Sequence, residues 1–100
     1  MKLGILVNTD KNMEAVIGIT KSAISKGHEV YVFNMDIGTK LLENPSFTEL
    51  CKLEGVTLAF CDLSSKWVNA NTEGLTKEID RGDQYRNAIM NNISDKMIIL

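Results

Sequence analysis

The sequence predicts a small three-layer α/β domain, a doubly wound and mostly parallel sheet flanked by helices. Short apolar runs recur at Leu3–Val7, Glu29–Asn34, Val56–Phe60 and Lys96–Leu100, and between them lie stretches with three- and four-residue apolar spacing. No internal repeat, low-complexity tract or linker interrupts the 100 residues, so residues 1–100 are expected to form one domain. Strands alternating with helices at this spacing point to parallel pairing through right-handed crossovers.

Leu3 to Val7 is a nearly continuous apolar run cut off by Asn8, Thr9 and Asp10, the pattern of a strand buried on both faces. Met13, Val16, Ile17, Thr20, Ala23 and Ile24 then form one stripe of an amphipathic helix, with Lys11, Glu14, Lys21 and Lys26 on its other side. Thr9 or Asp10 supplies its cap, and Gly27 its left-handed stop. Glu29 to Asn34, β-branched and aromatic, is the second strand. Asp36 to Pro45, punctuated by Gly38 and Pro45, reads as a loop with at most one short helix around Leu41 and Leu42. Ser46 caps a helix with the stripe Phe47, Leu50 and Cys51; Glu49 completes a capping box and Gly55 ends the helix. Val56 to Phe60 is the third strand. Cys61 to Gly82 reads as a long polar connection with helical turns near Leu75 to Ile79. Tyr85, Ala88, Ile89 and Ile93 mark a final helix, and Lys96 to Leu100 the last strand.

Composition narrows the function. With 44% apolar and 24% charged residues the chain has the balance of an ordinary soluble globular domain. Eleven basic and thirteen acidic residues, a formal charge of −2 and a pI near 5.3 give no footprint for nucleic acid or anionic lipid, so small molecules or proteins are the expected partners. The apolar runs are too short for a signal-peptide core or a membrane span, which fits a cytoplasmic location. Two cysteines and one histidine fall short of a disulfide framework or a zinc site. There is no GxGxxG after the first strand, and Gly38-Thr39-Lys40 does not match a phosphate loop, so no cofactor is expected. Asp10 and Asp62 follow the first and third strands as in a phosphoacceptor domain, but the acidic pair and later lysine of that chemistry are not matched.

In open parallel sheets ligands collect at the carboxyl ends of the strands. That rule nominates Asn8, Thr9 and Asp10, then Asn34 to Asp36, then Cys61 to Lys66, and of these only Cys61 is a competent nucleophile. Its thiol is either an inert apolar filler or an exposed, ionisable group, and the strand-end position favours the second. Ser64, Ser65 and Lys66 could support a thiolate while Asp62 opposes it, which leaves the local charge balance open. Cys51 shares a helical stripe with Phe47 and Leu50 and reads as core; ten positions from Cys61, it forms no CxxC pair with it. His28 reads as a turn residue at the opposite end of the sheet, and Trp67 either roofs the pocket or buries in a subunit contact. A sheet this small, with the apolar Met97 to Leu100, has little chain to cover its faces and edges, so a dimer, trimer or hexamer is expected.

Asn-Thr-Asp closes the first strand, Gly27-His28-Glu29-Val30-Tyr31-Val32-Phe33 opens the second, and Gly55-Val56-Thr57-Leu58-Ala59-Phe60-Cys61 runs into a cysteine loop. Together with Gly82-Asp83-Gln84-Tyr85-Arg86-Asn87-Ala88 and Asp95-Lys96-Met97-Ile98-Ile99, these make the chain resemble the DsrE/DsrF-like family over its whole length. The resemblance implies a sulfur-relay protein, a persulfide carrier more than a turnover enzyme, with Cys61 as the sulfur-bearing residue. Ser64 matches the serine or cysteine that the family often has three residues later. The pocket expected around Cys61 comprises Asn8, Asp10, Asp62, Ser64, Ser65, Lys66 and Trp67. The implied assembly is a homo-oligomer or a complex with DsrF-like and DsrH-like subunits, served by sulfur donor and acceptor proteins. The rival expectation is a non-catalytic oligomeric binding or scaffold module in which Cys61 only packs and residues 61–82 form the subunit contact.

Overall fold

Alternation within the apolar runs divides the molecule. Five strands, β1 (Lys2–Val7), β2 (Glu29–Asn34), β3 (Val56–Cys61), β4 (Ile79–Gly82) and β5 (Lys96–Ile99), pair in the order β4-β3-β2-β1-β5, all parallel. Along β1, β2 and β3 the residues Leu3, Ile5, Val7, Val30, Val32, Leu58 and Phe60 point to one face and join the main core. Phe33, Ala59 and Cys61 point to the other and form a smaller cluster with Met90. The architecture is described by a computed structural model covering residues 1–100. It is the three-layer, doubly wound sheet the sequence predicts.

The main core is closed by α1 (Met13–Ser25), a 3-10 helix over Asp36–Glu43, α2 (Pro45–Thr48) and a second 3-10 helix over Glu49–Lys52, which contribute Val16, Leu41, Leu42, Phe47 and Leu50. Between β3 and β4, α3 (Asp62–Trp67) packs against the Asp36–Glu43 helix on this same side. Only α4 (Gln84–Ile93) covers the other face, and Met90 is its one buried residue.

Several local expectations are corrected. α1 starts after Asn12 instead of being capped by Thr9 or Asp10; the Asn12 side chain makes no capping bond, and Thr9 Oγ1 accepts from the Lys11 amide at 3.3 Å. Its end is as expected: Gly27 takes φ +84°, the His28 amide donates to the Ala23 carbonyl at 3.0 Å and the Gly27 amide to the Ile24 carbonyl at 3.0 Å. Asn44, not Ser46, caps the helix after Gly38. Its side chain accepts from the Ser46 amide at 2.9 Å, and Pro45 takes the first helical position, where it has no amide to lose. That helix tightens to 3-10 form at Glu49. In the long connection, the helical turns expected near Leu75 to Ile79 are replaced by edge strand β4, and the polar stretch after Cys61 is α3.

Glycines show where the packing is tight. A Cβ on Gly38 would lie 2.2 Å from the Val7 carbonyl oxygen, so the Asp36–Glu43 helix rests directly on the carboxyl end of β1. The buried Asn34 holds it there, its Nδ2 donating to the Gly38 carbonyl at 2.9 Å. Gly18, in the middle of α1, has open space beside it. Gly18→Ala is therefore expected to stabilise the fold by roughly 0.5–1 kcal/mol through helix propensity. Gly38→Ala should cost about 1–3 kcal/mol by overpacking against backbone. Urea midpoints of the two variants on opposite sides of the parent value are the expected result; a Gly38→Ala midpoint at or above the parent's would contradict this packing.

Candidate functional site

The connections follow one rule. Crossovers between parallel strands keep one hand, so successive moves in one direction along the sheet lie on one face and a return lies on the other. The chain moves from β1 to β2, β3 and β4 in one direction, with α1, the 36–52 helices and α3 on the main-core side, and α4 returns from β4 to β5 across the opposite side. The segments that follow the neighbouring strands β3 and β4 thus leave on opposite faces. In α/β sheets ligands gather at the carboxyl ends of neighbouring strands whose connections diverge in this way. Cys61 is the last residue of β3, paired across the sheet with Gly82, the last of β4.

The expectation of an exposed Cys61 thiol is corrected. The residue is 4% exposed, and its side chain lies with Phe33, Ala59 and Met90 beneath α4. Strand parity is the cause. Cys61 is still within β3, so alternation turns it to the α4 face together with Ala59. It also stands at the cap position of α3, yet makes no side-chain capping bond. The cover is close: Gly82 opposite has no side chain, and Arg86 packs over it so tightly that a Cβ there would meet Arg86 Cγ at 2.7 Å. Near the same end, Gln84 Nε2 is 4.0 Å from Met35 Sδ.

Asp62, the next residue, is not a lone opposing charge. Its carboxylate pairs with Lys66 Nζ at 3.1 Å, one helical turn along α3, and accepts from Arg81 Nη1 of β4. The Lys66 hydrogen bond, seconded by that of Arg81, holds the Asp62 carboxyl below its ordinary value despite partial burial. The Arg81 guanidinium stacks 5.0 Å from the Phe60 ring centroid and donates from Nη2 to Thr72 Oγ1 at 3.2 Å. Ser64 and Ser65 are buried in α3, and Ser65 Oγ donates to the Asp62 carbonyl at 2.6 Å, so the Ser65 hydroxyl serves the helix itself.

Of the expected pocket, the structure brings together Asp62, Ser64, Ser65 and Lys66 beside Cys61. Asn8 and Asp10 do not join them. They follow β1, two strand spacings or about 10 Å from β3. Asp10 instead lines a shallow polar cleft of about 750 Å³ with Lys40, Glu43 and Asn44. Trp67 is 73% exposed and roofs no pocket within the chain. His28 sits at the amino-terminal corner of β2, its Nδ1 2.9 Å from the amino group of Met1. Sequence reasoning missed Arg81, because nothing around Asp80-Arg81-Gly82 marks a strand. No group of three or more His, Cys, Asp or Glu side chains is arranged to hold a metal ion, and no helix is long and apolar enough to cross a membrane. On the α4 face a groove of about 410 Å³ is lined by Tyr31, Phe33, Thr57, Ala59, Ile89 and Ile93 among others.

No family model matches the sequence, and no curated protein does. Several solved structures match, two of them over nearly the whole length of both chains. One is the ychN protein from E. coli, 13% identical, covering 99% of this chain and 97% of that one with a TM-score of 0.70. The other is a protein of unknown function, MTH1491 from Methanobacterium thermoautotrophicum, 12% identical, covering 99% and 98% with a TM-score of 0.77. At these identities the likeness establishes the fold, which is DsrE-like.

The paired carboxylate has a pH signature. Because the folded Asp62 binds its proton less readily than the unfolded one, its contribution to stability is complete above the ordinary carboxyl value of 3.8 and is lost as pH falls through the lower folded value. Thermal unfolding followed from pH 6 down to pH 2 should show Asp62→Asn less sensitive to acid than the parent below about pH 4. Parallel curves for the two proteins would mean that these pairs do not form in solution.

Proposed function

We propose that the chain is a sulfur carrier that accepts and passes sulfur as a persulfide on Cys61. The observation that carries this reading is the position of Cys61, the one thiol at the carboxyl ends of β3 and β4. The DsrE-like fold is compatible with it. Cys51 is the poorer candidate, since burial, and after it the charge of Glu78, pushes its thiol above the ordinary value.

The chemistry is two thiol exchanges. The Cys61 thiolate attacks the outer sulfur of a donor persulfide; a new S–S bond forms on Cys61, the donor S–S bond breaks, and the donor leaves as a thiolate. An acceptor thiolate then attacks the outer sulfur on Cys61, taking it and returning Cys61 to the thiolate. The sulfur atom moves with its bonding balanced at each step, so neither oxidant nor reductant is consumed. Transfer requires the buried thiol to be uncovered, which calls for movement of α4 above it.

A second reading is favoured by a separate observation. α4 leaves an apolar groove on its face of the sheet, and Tyr85, Ile89 and Ile93 are exposed along the helix beside it. This is the surface an oligomeric binding module would use, with Cys61 as packing. Carrier and oligomer are compatible, and the chain is proposed to self-associate through this face.

Incubation with a low-molecular-weight persulfide at pH 7, followed by intact-mass spectrometry, is expected to add one sulfur atom per chain to the parent and to Cys51→Ser, and none to Cys61→Ser. An unmodified parent would leave the oligomeric module as the better reading. Light scattering at micromolar concentration should return a multiple of 11.1 kDa; the monomer mass would remove the proposed self-association.

A further inference from the structure

Three sides of α4 have three characters. At about 100° per residue, Met90 points to the sheet, while Gln84, Asn87 and Asn91 fall together on one flank. Those amides bond to one another, Asn87 Nδ2 donating to Gln84 Oε1 at 3.2 Å and Asn91 Nδ2 to Asn87 Oδ1 at 3.1 Å. Tyr85, Ile89 and Ile93, spaced by four, fall on the other flank, and all three are exposed. The polar flank satisfies itself; the apolar flank lies against nothing in its own chain.

Beside the apolar flank the sheet is open. α4 enters from the end of β4 and leaves into the start of β5, the two outermost strands, so it crosses the face obliquely, packed on β1 and β2. The amino halves of β2 and β3 are left partly bare, with Thr57 exposed and Tyr31 half-buried. There Tyr31 and Thr57 line the apolar groove together with Ile89 and Ile93.

Three features favour a second copy of this chain as the occupant. Arg86 is the one charged residue of α4 and is paired with Asp80 at 3.4 Å, so the helix meets its own copy without the like-charge repulsion that opposes self-contact. The stripe is also symmetric about its middle member. Laid antiparallel across a two-fold axis, two such helices set Ile89 against Ile89 and each Tyr85 against the other copy's Ile93. Ten residues make a helix about 15 Å long. Helix and groove, doubled by the symmetry, then bury on the order of 1,000 Å², the lower edge of what specific interfaces need.

We infer that two copies associate through antiparallel α4 helices, with the two-fold axis at Ile89 and each helix roofing the groove of the other chain. The inference rests on the proposed self-association and deepens it, naming the arrangement and the residue at its centre.

The test is disulfide cross-linking by copper phenanthroline of full-length chains carrying Cys51→Ser and Cys61→Ser, together with light scattering at micromolar concentration. Ile89→Cys alone is expected to cross-link to a dimer. Tyr85→Cys alone and Ile93→Cys alone should not, whereas an equal mixture of the two should. Light scattering is expected to give an even multiple of 11.1 kDa for the parent, with that association lost in Ile89→Asp. Should Ile89→Asp fail to fold, Tyr85→Ser, at a site 72% exposed, is expected to weaken association in the same way. Association lost in these variants without the Ile89→Cys cross-link would overturn the two-fold arrangement while self-association through this face stands. A parent mass unmoved by Ile89→Asp or Tyr85→Ser in chains with native circular dichroism, or a parent that is monomeric, would overturn both.

Discussion

The handedness of the crossovers is the constraint on which the molecule turns. Given the order β4-β3-β2-β1-β5, three successive connections must lie on one face and a single long return on the other. The first face receives α1, two 3-10 helices, α2 and α3; the second receives only the ten residues of α4. A helix is about 10 Å across and strands are about 4.8 Å apart, so one helix shields roughly two strand spacings of a five-stranded sheet. The small second cluster and the groove beside it are one consequence seen twice. The same rule makes the chain leave β3 and β4 on opposite sides, a divergence that occurs nowhere between β1, β2 and β3.

Magnitudes separate what holds the fold from what shapes the site. The ion pairs of Asp62 with Lys66 and Arg81 are partly exposed, and pairs of that kind contribute about 0–1 kcal/mol each. Burying one side chain such as Phe47 or Phe60 contributes roughly 1.5–3 kcal/mol. The sheet therefore does not need Arg81 for stability at the level at which it needs its aromatic core. What Arg81 changes is the state of the Asp62 carboxylate, which with Lys66 it holds in its charged form.

This division also explains what could be read from the sequence. β1, β2, β3 and the stripe of α1 were legible because long, regular apolar spacing follows from burial against a sheet, and Gly27 was legible because a positive φ at a helix stop favours glycine; Gly55 also takes a positive φ, but in the turn into β3, after a helix that ends at Lys52. β4 was not, because an edge strand of four residues with Ile79 as its one buried apolar side chain has no period to detect. α3 was hidden by inverted polarity: Ser64 and Ser65 face inward while Leu63 and Trp67 face out. Missing these two elements meant missing Arg81, since its approach to Asp62 exists only once β4 lies beside β3. The position of Cys61 was legible and its burial was not, because the difference between the last strand residue and the first loop residue is a single step of alternation.

Burial does not distinguish the two cysteines, since both are buried. Direction along the sheet does. Cys51 lies in the 3-10 helix that leads through Gly55 into the start of β3, at the amino ends of the strands, where connections converge onto the packed main core and Leu50 and Ile79 lie in the same cluster. Cys61 lies at the finish of that strand, where connections diverge, a side-chain-free glycine stands opposite and two cations meet the adjoining carboxylate. A thiol needs an approach path and a stabilised anion to act as a nucleophile. Ligands gather at the carboxyl ends of parallel strands and not at their amino ends, so the polarity of β3, more than exposure in the closed chain, favours Cys61 over Cys51.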